Sequence, residues 1–210
     1  MMHTGKVLGV IPARIGSTRI PNKMLKDICG KTLIQRTFER TKEAQSLDAL
    51  VIATDSDDIE QTAVSFGSRV IRSIADHKNG TERAGEAVRL FTDFIPEIVV
   101  IVWGDEPLYP ASAIDSCVKM LRENPQIDAV TAADRITSPK MIDVNSVVKI
   151  VTDIHSHALY ISRSVIPYNF TNQNVDHYHV IGAMAMRTEF LFKYIEMEQT
   201  PLEKIESVEQ

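Results

Sequence analysis

The sequence predicts an α/β fold: a mostly parallel central sheet with a smaller mixed or antiparallel extension. Over the first half, short β-rich apolar runs alternate with longer amphipathic stretches, as in a parallel sheet with helical crossovers. Several of those runs empty into loops rich in charge and hydroxyls, where open parallel sheets collect ligands. Past about Asp128 strand candidates succeed one another with little helix between them, which favours antiparallel pairing. The 210 residues, 44% of them hydrophobic, suffice for one compact domain. The change of rhythm divides that domain into two segments, residues 1–127 and residues 128–210.

Val7 to Pro12 reads as a buried strand, and Leu33, Ile34, Phe38 and Thr41 recur at helical spacing after Lys31. Leu50 to Thr54 is a strand ending at Asp55. Ser56 is the expected N-cap of a helix from Asp57 to Phe66, which Gly67 closes. Arg69 to Ser73 is a short strand and Thr81 to Phe91 a helix, with Asn79-Gly80 as a turn and Thr81 as the cap. Ile98 to Trp103 is the most apolar strand, and Ala111 to Glu123 a helix ended by Asn124-Pro125. Ala129 to Ala133, Val147 to Val151, Ala158 to Ser162 and Val180 to Met186 are the later strands. Helices are expected at Glu189 to Met197 and from Pro201 to Gln210.

A net charge of -5 argues against a general nucleic-acid or membrane-surface binder, so any basic cluster is local. Cys29 and Cys117 stand far apart without metal-ligand or C-x-x-C spacing, as expected of reduced thiols. The N-terminus carries no signal-peptide pattern and no run reaches transmembrane length. A soluble cytoplasmic protein is the expectation. His177 and His179, at i and i+2, share a strand face, but with no further ligand at suitable spacing they read as core or surface histidines. Met184 and Met186 read as core filler.

The loop after the first strand, "PARIGSTRIPNKML", gathers Arg14, Ser17, Thr18, Arg19 and Lys23 around Gly16. Its composition suits an oligophosphate, although it matches neither the Rossmann fingerprint nor a Walker A loop. The alternative is a solvated basic loop paired with neighbouring carboxylates. After the most apolar strand comes "GDEPL", whose Asp105 is placed to hold a divalent cation against phosphate oxygens; the alternative is a simple chain reversal. Glu106, one position on, would point elsewhere if the chain stays extended. The third loop, "DHKNGTER", opens a helix whose N-terminal donors suit an anion or a base edge.

"IPARIGSTRIPNKML", "HKNGTER", "GDEPL", "ALYISRSVIP" and "PLEKIESVEQ", in that order, resemble the cytidylyltransferases that activate 3-deoxy-manno-octulosonate (Kdo) as its CMP ester. The resemblance runs from the first strand to the last residue. It implies a Rossmann-like nucleotide-diphospho-sugar transferase fold, CTP and a small sugar acid as substrates, Mg²⁺, a cytoplasmic homodimer and a role in lipopolysaccharide or surface-glycan synthesis. Residues 1–127 would then bind nucleotide, and residues 128–210 would bind sugar and dimerise. Arg14 and Lys23 would lie along the triphosphate beside Pro12 and Ala13, with Ser17, Thr18 and Arg19 completing the cradle, and Asp105 would ligate magnesium. His77, Gly80, Thr81 and Arg83 would help enclose the cytidine. Arg163 would face the sugar carboxylate, and Glu203, Glu206 and Gln210 would close the sugar side.

The chain departs from that pattern in places. Where the family reads "QGDEP", Trp103 replaces the glutamine; where it reads "HxGIYxYR", the chain has "VIGAMAMR", with Val180 and Met184 at the histidine and a tyrosine position. These changes lead to the expectation of a sugar acid less hydroxylated than Kdo. Family members also continue past "LEKIESVEQ" to a block whose aspartate supplies a second magnesium ligand, so either the chain shown is a piece or that metal site is incomplete. The alternatives are a related nucleotidyltransferase with another acceptor, since "ARIGSTRIPNK" is also similar to spore-coat polysaccharide cytidylyltransferase-like proteins, or a non-catalytic CTP-binding homologue.

Overall fold

β1 (Val7–Ala13) is buried along its whole length, as an unbroken apolar run demands. It can be so because parallel strands flank it on both edges. β4 (Ala49–Thr54) pairs with it from Leu8↔Ala49 to Ala13↔Thr54, and β6 (Ile98–Val102) from Val7↔Ile98 to Val10↔Ile101. The computed structural model describes residues 5–16 and 20–209.

Two short strands, β2 (Asp27–Ile28) and β3 (Lys31–Thr32), form a hairpin that periodicity does not reveal. Its turn is Cys29-Gly30, both at positive φ, with Gly30 N donating to Asp27 Oδ1 at 3.1 Å. α1 (Leu33–Thr41) follows, capped by Thr32, and buries Leu33, Ile34, Phe38 and Thr41 as their spacing predicts. α2 (Asp57–Ser65) starts at the expected cap Ser56 and ends before Gly67, whose φ of 81° suits a residue without a Cβ. β5 (Arg69–Arg72) pairs parallel with β4.

α3 (Gly80–Leu90) corrects the expected cap. Asn79, not Thr81, is the N-cap: its side chain accepts from Glu82 N at 2.8 Å, whereas Thr81 lies inside the first turn and is buried. Asparagine is a stronger cap than threonine, and its choice shifts the helix start by one residue. α4 (Ala111–Glu123) and β7 (Ala129–Arg135) follow as expected. A short α5 (Pro139–Ile142) was not expected; Pro139 occupies its first turn. β8 (Lys149–Thr152), β9 (Ala158–Ser162) and the long β10 (Tyr178–Arg187) fall close to the predicted strands. α6 (Thr188–Glu196) and α7 (Pro201–Glu206) end the described chain. α7 is shorter than expected because Ser207 turns left-handed at φ 51° and stops it.

The chain divides into two units. One runs through Thr131 and takes in Gly182–Glu196; the other comprises Ala132–Ile181 and the residues from Met197. In the first unit the strand order is β5-β4-β1-β6-β10, parallel except for β10, whose Ala183–Arg187 stretch runs antiparallel to β6. Its core includes Leu8, Val10, Val51, Ala53, Val99, Ile101 and Met186 from the sheet, with Ala84, Ala87, Val88 and Leu191 from α3 and α6. In the second unit Tyr178 and His179 of β10 pair antiparallel with β8, and β8 with β9. A mostly parallel sheet with an antiparallel extension is the architecture that the residue pattern predicts.

His177 is buried, its Nδ1 at 3.0 Å from Ile166 O, a satisfied core histidine. Cys117 is a buried free thiol that burial pushes up to about 11, and Cys29 is exposed and free.

Candidate active site

The ends of β1 and β6 bring the basic loop to the acidic one. Lys23, in a 3-10 turn from Lys23 to Leu25, makes an ion pair with Asp105 just past β6. Residues 82 positions apart in sequence thus meet because parallel neighbours β1 and β6 release their loops at the same edge. Both groups stay partly exposed, and Arg14, in the same loop as Lys23, is exposed, so their charges remain available to a solvated polyanion. Ser17, Thr18 and Arg19, the centre of the expected cradle, lie outside the described residues.

The "GDEPL" loop is held from beneath. Thr37 Oγ1, on the buried face of α1, donates to Gly104 O at 2.8 Å, and a Cβ on Gly104 would come within 3.1 Å of Met24 Sδ. Trp103 N donates to Gly182 O at 3.1 Å, tying the loop to β10. The chain then turns, with Glu106 N donating to Trp103 O. Glu106 packs on Gly182, where an added Cβ would sit 2.9 Å from its Cβ and Cγ and 2.8 Å from Tyr109 Cδ2. Burial and, second, the neighbouring Asp105 charge raise the Glu106 carboxyl, with Lys23 opposing them. Glu106 is therefore turned into packing while Asp105 stays at the ion pair.

The third loop meets the same strand ends. A methyl group on Gly80 would lie 3.1 Å from Pro12 Cγ and 3.9 Å from Trp103 Nε1, so α3's start, the end of β1 and the indole converge. Trp103, expected on the sugar side, has its ring nitrogen at this nucleotide-loop junction. His77 Nε2 stands 2.8 Å from Glu86 Oε2, and that carboxylate also accepts from Ile74 N and Ala75 N. Burial raises the Glu86 carboxyl, but those hydrogen bonds outweigh it and hold it below the ordinary value. Arg83 is buried and donates Nη2 to Asp55 Oδ2 at 2.8 Å. Burial likewise raises Asp55, yet the Arg83 bond and charge bring it below its ordinary value. Sequence reading missed both carboxylates. Glu86 was accessible to it, three residues after Arg83 on the helix; Asp55, a strand away, was not.

In the second unit Arg163 donates Nε to Glu206 O at 2.6 Å, Nη1 to Asn145 O and Nη2 to Ser207 O. A guanidinium on the last carbonyls of α7 is a favourable C-terminal cap. Glu206 accepts from Ser162 Oγ at 2.5 Å, Arg163 N and Tyr160 OH, and the Ser162 bond leads in lowering its carboxyl. Glu203 is buried and closes a capping box with Thr200. Of these side chains, expected at the sugar, Arg163 and Glu206 secure α7 against β9 and Glu203 caps its N-terminus, and Gln210 lies outside the described residues. Val180 is half-buried, its N donating to Val148 O; Met184, half-buried in the first unit, packs on that unit's hydrophobic cluster. Lys149 was missed altogether: a lysine without solvent exposure whose ammonium donates to Val144 O, Val147 O and Arg163 O at 3.2, 2.8 and 2.5 Å.

Among the described residues no group of three or more His, Cys, Asp or Glu could hold a metal ion, and none of their helices is long and apolar enough to cross a membrane. A single carboxylate suits magnesium when phosphate oxygens and water complete its shell.

Residues 8–210 match the family model described as cytidylyltransferase. The chain is 37% identical over 205 residues to a 3-deoxy-manno-octulosonate cytidylyltransferase of Fusobacterium nucleatum, covering 98% of this chain and 82% of that protein. It is 41% identical over 208 residues to the enzyme of the same description from Chlamydia trachomatis, covering 99% and 81%. A solved structure of CMP:2-keto-3-deoxy-manno-octonic acid synthetase complexed with CTP superposes with a TM-score of 0.88 at 32% identity, over 97% of this chain and 83% of that one. A 4-diphosphocytidyl-2C-methyl-D-erythritol synthase from Anaerococcus prevotii shares the fold at a TM-score of 0.59 and 15% identity, covering 99% and 86%. A chain matched over nearly its whole length by the family model, with basic and acidic loops meeting at the strand ends, belongs to the cytidylyltransferase family.

Proposed function

We propose that this chain transfers the cytidylyl group of CTP to Kdo, giving CMP-Kdo and pyrophosphate. The observation that carries the reading is the Lys23–Asp105 pair, which joins a polyphosphate-type loop to a lone carboxylate suited to magnesium. The relatives described as Kdo cytidylyltransferases, and the superposable synthetase complexed with CTP, support nucleotide and acceptor alike.

The anomeric hydroxyl of the sugar acid attacks the α-phosphorus in line and loses its proton to solvent, the α–β phosphoanhydride bond breaks, and negative charge grows on the departing pyrophosphate. Arg14 and Lys23 stabilise that charge, Lys23 exchanging its carboxylate for phosphate oxygens as the nucleotide enters. Asp105 would hold Mg²⁺, which would supply charge neutralisation for the phosphates. Pro12, Gly80 and Trp103 shape the nucleoside end, and His77 and Arg83 are held there by Glu86 and Asp55. Most of the acceleration comes from positioning. The reading includes a cytoplasmic homodimer serving surface-glycan synthesis; exposed aromatic residues of the second unit, Tyr168 and Phe170, support a protein interface.

Pyrophosphate release from CTP and Mg²⁺ across a panel of ulosonic acids tests the reading. Kdo is expected to be the preferred acceptor, rather than the less hydroxylated acid that the changes at Trp103, Val180 and Met184 suggest, because the relatives are described as Kdo enzymes and the Trp103 ring nitrogen stands at the nucleotide loops. Release only with a less hydroxylated acid would move the assignment to another acceptor, and no release with any acid, alongside CTP binding, would favour a non-catalytic homologue.

A further inference from the structure

Arg83 presents a guanidinium whose side chain is only 5% exposed. Its Nη2 donates to Asp55, while its Nη1 is buried and has no hydrogen-bond partner among the described residues. An unmatched buried donor costs about 1–3 kcal/mol. Such groups are rare enough in folded proteins that each requires an explanation, and a ligand acceptor is one. Arg83 stands in the first turn of α3, whose opening residue Gly80 packs on Pro12 beside the Trp103 indole. The orphan donor therefore belongs to the helix turn that meets the junction of all three loops.

Charge decides which acceptor fits. Asp55, one residue past β4, lies 2.8 Å from the guanidinium and offsets its charge. A phosphate oxygen brought to a pair of zero net charge gains a hydrogen bond but little Coulombic stabilisation, and it must be desolvated. A neutral acceptor, such as a pyrimidine carbonyl, a ring nitrogen or a ribose hydroxyl, matches a single unfilled donor. Lys23, partly exposed beside Asp105, is by contrast suited to phosphate.

We propose that Asp55 is a positioning residue for nucleoside recognition, holding Arg83 by Nη2 so that Nη1 donates to a neutral acceptor on the cytidine half of CTP. This rests on the CTP reading above. The bidentate planarity of arginine is what permits one side chain to hold a carboxylate and a ligand together. Asp55 is itself 43% exposed on its side chain, so its replacement opens no cavity, although it leaves the buried Arg83 guanidinium without its carboxylate.

The test is calorimetric binding of CTP and of inorganic triphosphate, each with Mg²⁺, to the full chain. Asp55→Ala is expected to weaken CTP by about tenfold or more, equivalent to about 1.4 kcal/mol, and to leave inorganic triphosphate unchanged. Asp55→Asn, which keeps an oxygen acceptor for Nη2, recovers most of the lost affinity. In an Arg83→Lys background, Asp55→Ala has no further effect, because Asp55 acts through Arg83. Should Asp55→Ala fold poorly in circular dichroism melts, Asp55→Ser carries the same expectations. Equal weakening of CTP and triphosphate, or unaltered CTP binding, would overturn the proposal while the CTP reading stands. Wild-type protein that binds CTP no more tightly than inorganic triphosphate would overturn both.

Discussion

Asp105→Asn is expected to lower turnover by roughly a hundredfold to a thousandfold at saturating CTP, the scale of losing one group aimed at developing charge. The asparagine keeps the shape and a hydrogen-bond acceptor but removes the charge that holds the cation. It also releases Lys23 from its ion pair. Because both partners are partly exposed, that pair contributes only about 0–1 kcal/mol to folding, so the thermal midpoint should barely move. The loop's own anchors, Thr37 Oγ1 to Gly104 O and Trp103 N to Gly182 O, do not involve the carboxylate. Raising magnesium should recover some of the activity. Near-normal turnover with the folded variant would remove Asp105 from the mechanism.

Lys149→Met is expected to destabilise the second unit by about 2–4 kcal/mol, since it removes the ammonium that bridges three main-chain carbonyls while nearly preserving volume. Lys149 is the largest fully buried side chain among the described residues, and its ammonium gathers the carbonyls of Val144, Val147 and Arg163. Burial, with the Arg163 charge second, lowers the ammonium from its ordinary value; Asp143 and Glu206 act against them. Three carbonyl acceptors repay that burial only while the amine is present. Arg163 itself reaches Asn145 O and the end of α7, so the loss should spread along β9 to the α7 junction. Urea denaturation of the variant against wild type measures it; a change below about 0.5 kcal/mol, the range of surface substitutions, would show that the cage contributes nothing.

Which features were legible in the sequence follows from how far each signal reaches. The runs Val7 to Ile11 and Ile98 to Val102 declare buried strands because every residue is apolar, and those strands have no exposure. Ser56 and Gly67 bound α2 through local backbone chemistry, and the structure agrees. The Thr81 cap was wrong because Asn79, read as belonging to a turn, takes the cap by bonding Glu82 N. At the site, loop composition brought Arg14, Lys23 and Asp105 together as candidates, and chain topology made the Lys23–Asp105 contact. Asp55, Glu86 and Lys149 went unread because a charged residue's partner is invisible until the fold supplies it. Glu203 and Glu206 illustrate the converse. The motif that drew attention to them is one the structure uses to cap α7 and fasten it to β9, and Thr200-Pro201-Leu202-Glu203 carried the capping signature openly.

The central claim is that the loops after β1 and β6 form the triphosphate half of a CTP site. The most direct measurement is a crystal structure of the full chain with CTP and Mg²⁺. The account predicts phosphate oxygens at Arg14 and Lys23, a metal ion on Asp105 and the Lys23–Asp105 pair opened to admit them. CTP bound elsewhere with that ion pair intact would contradict it.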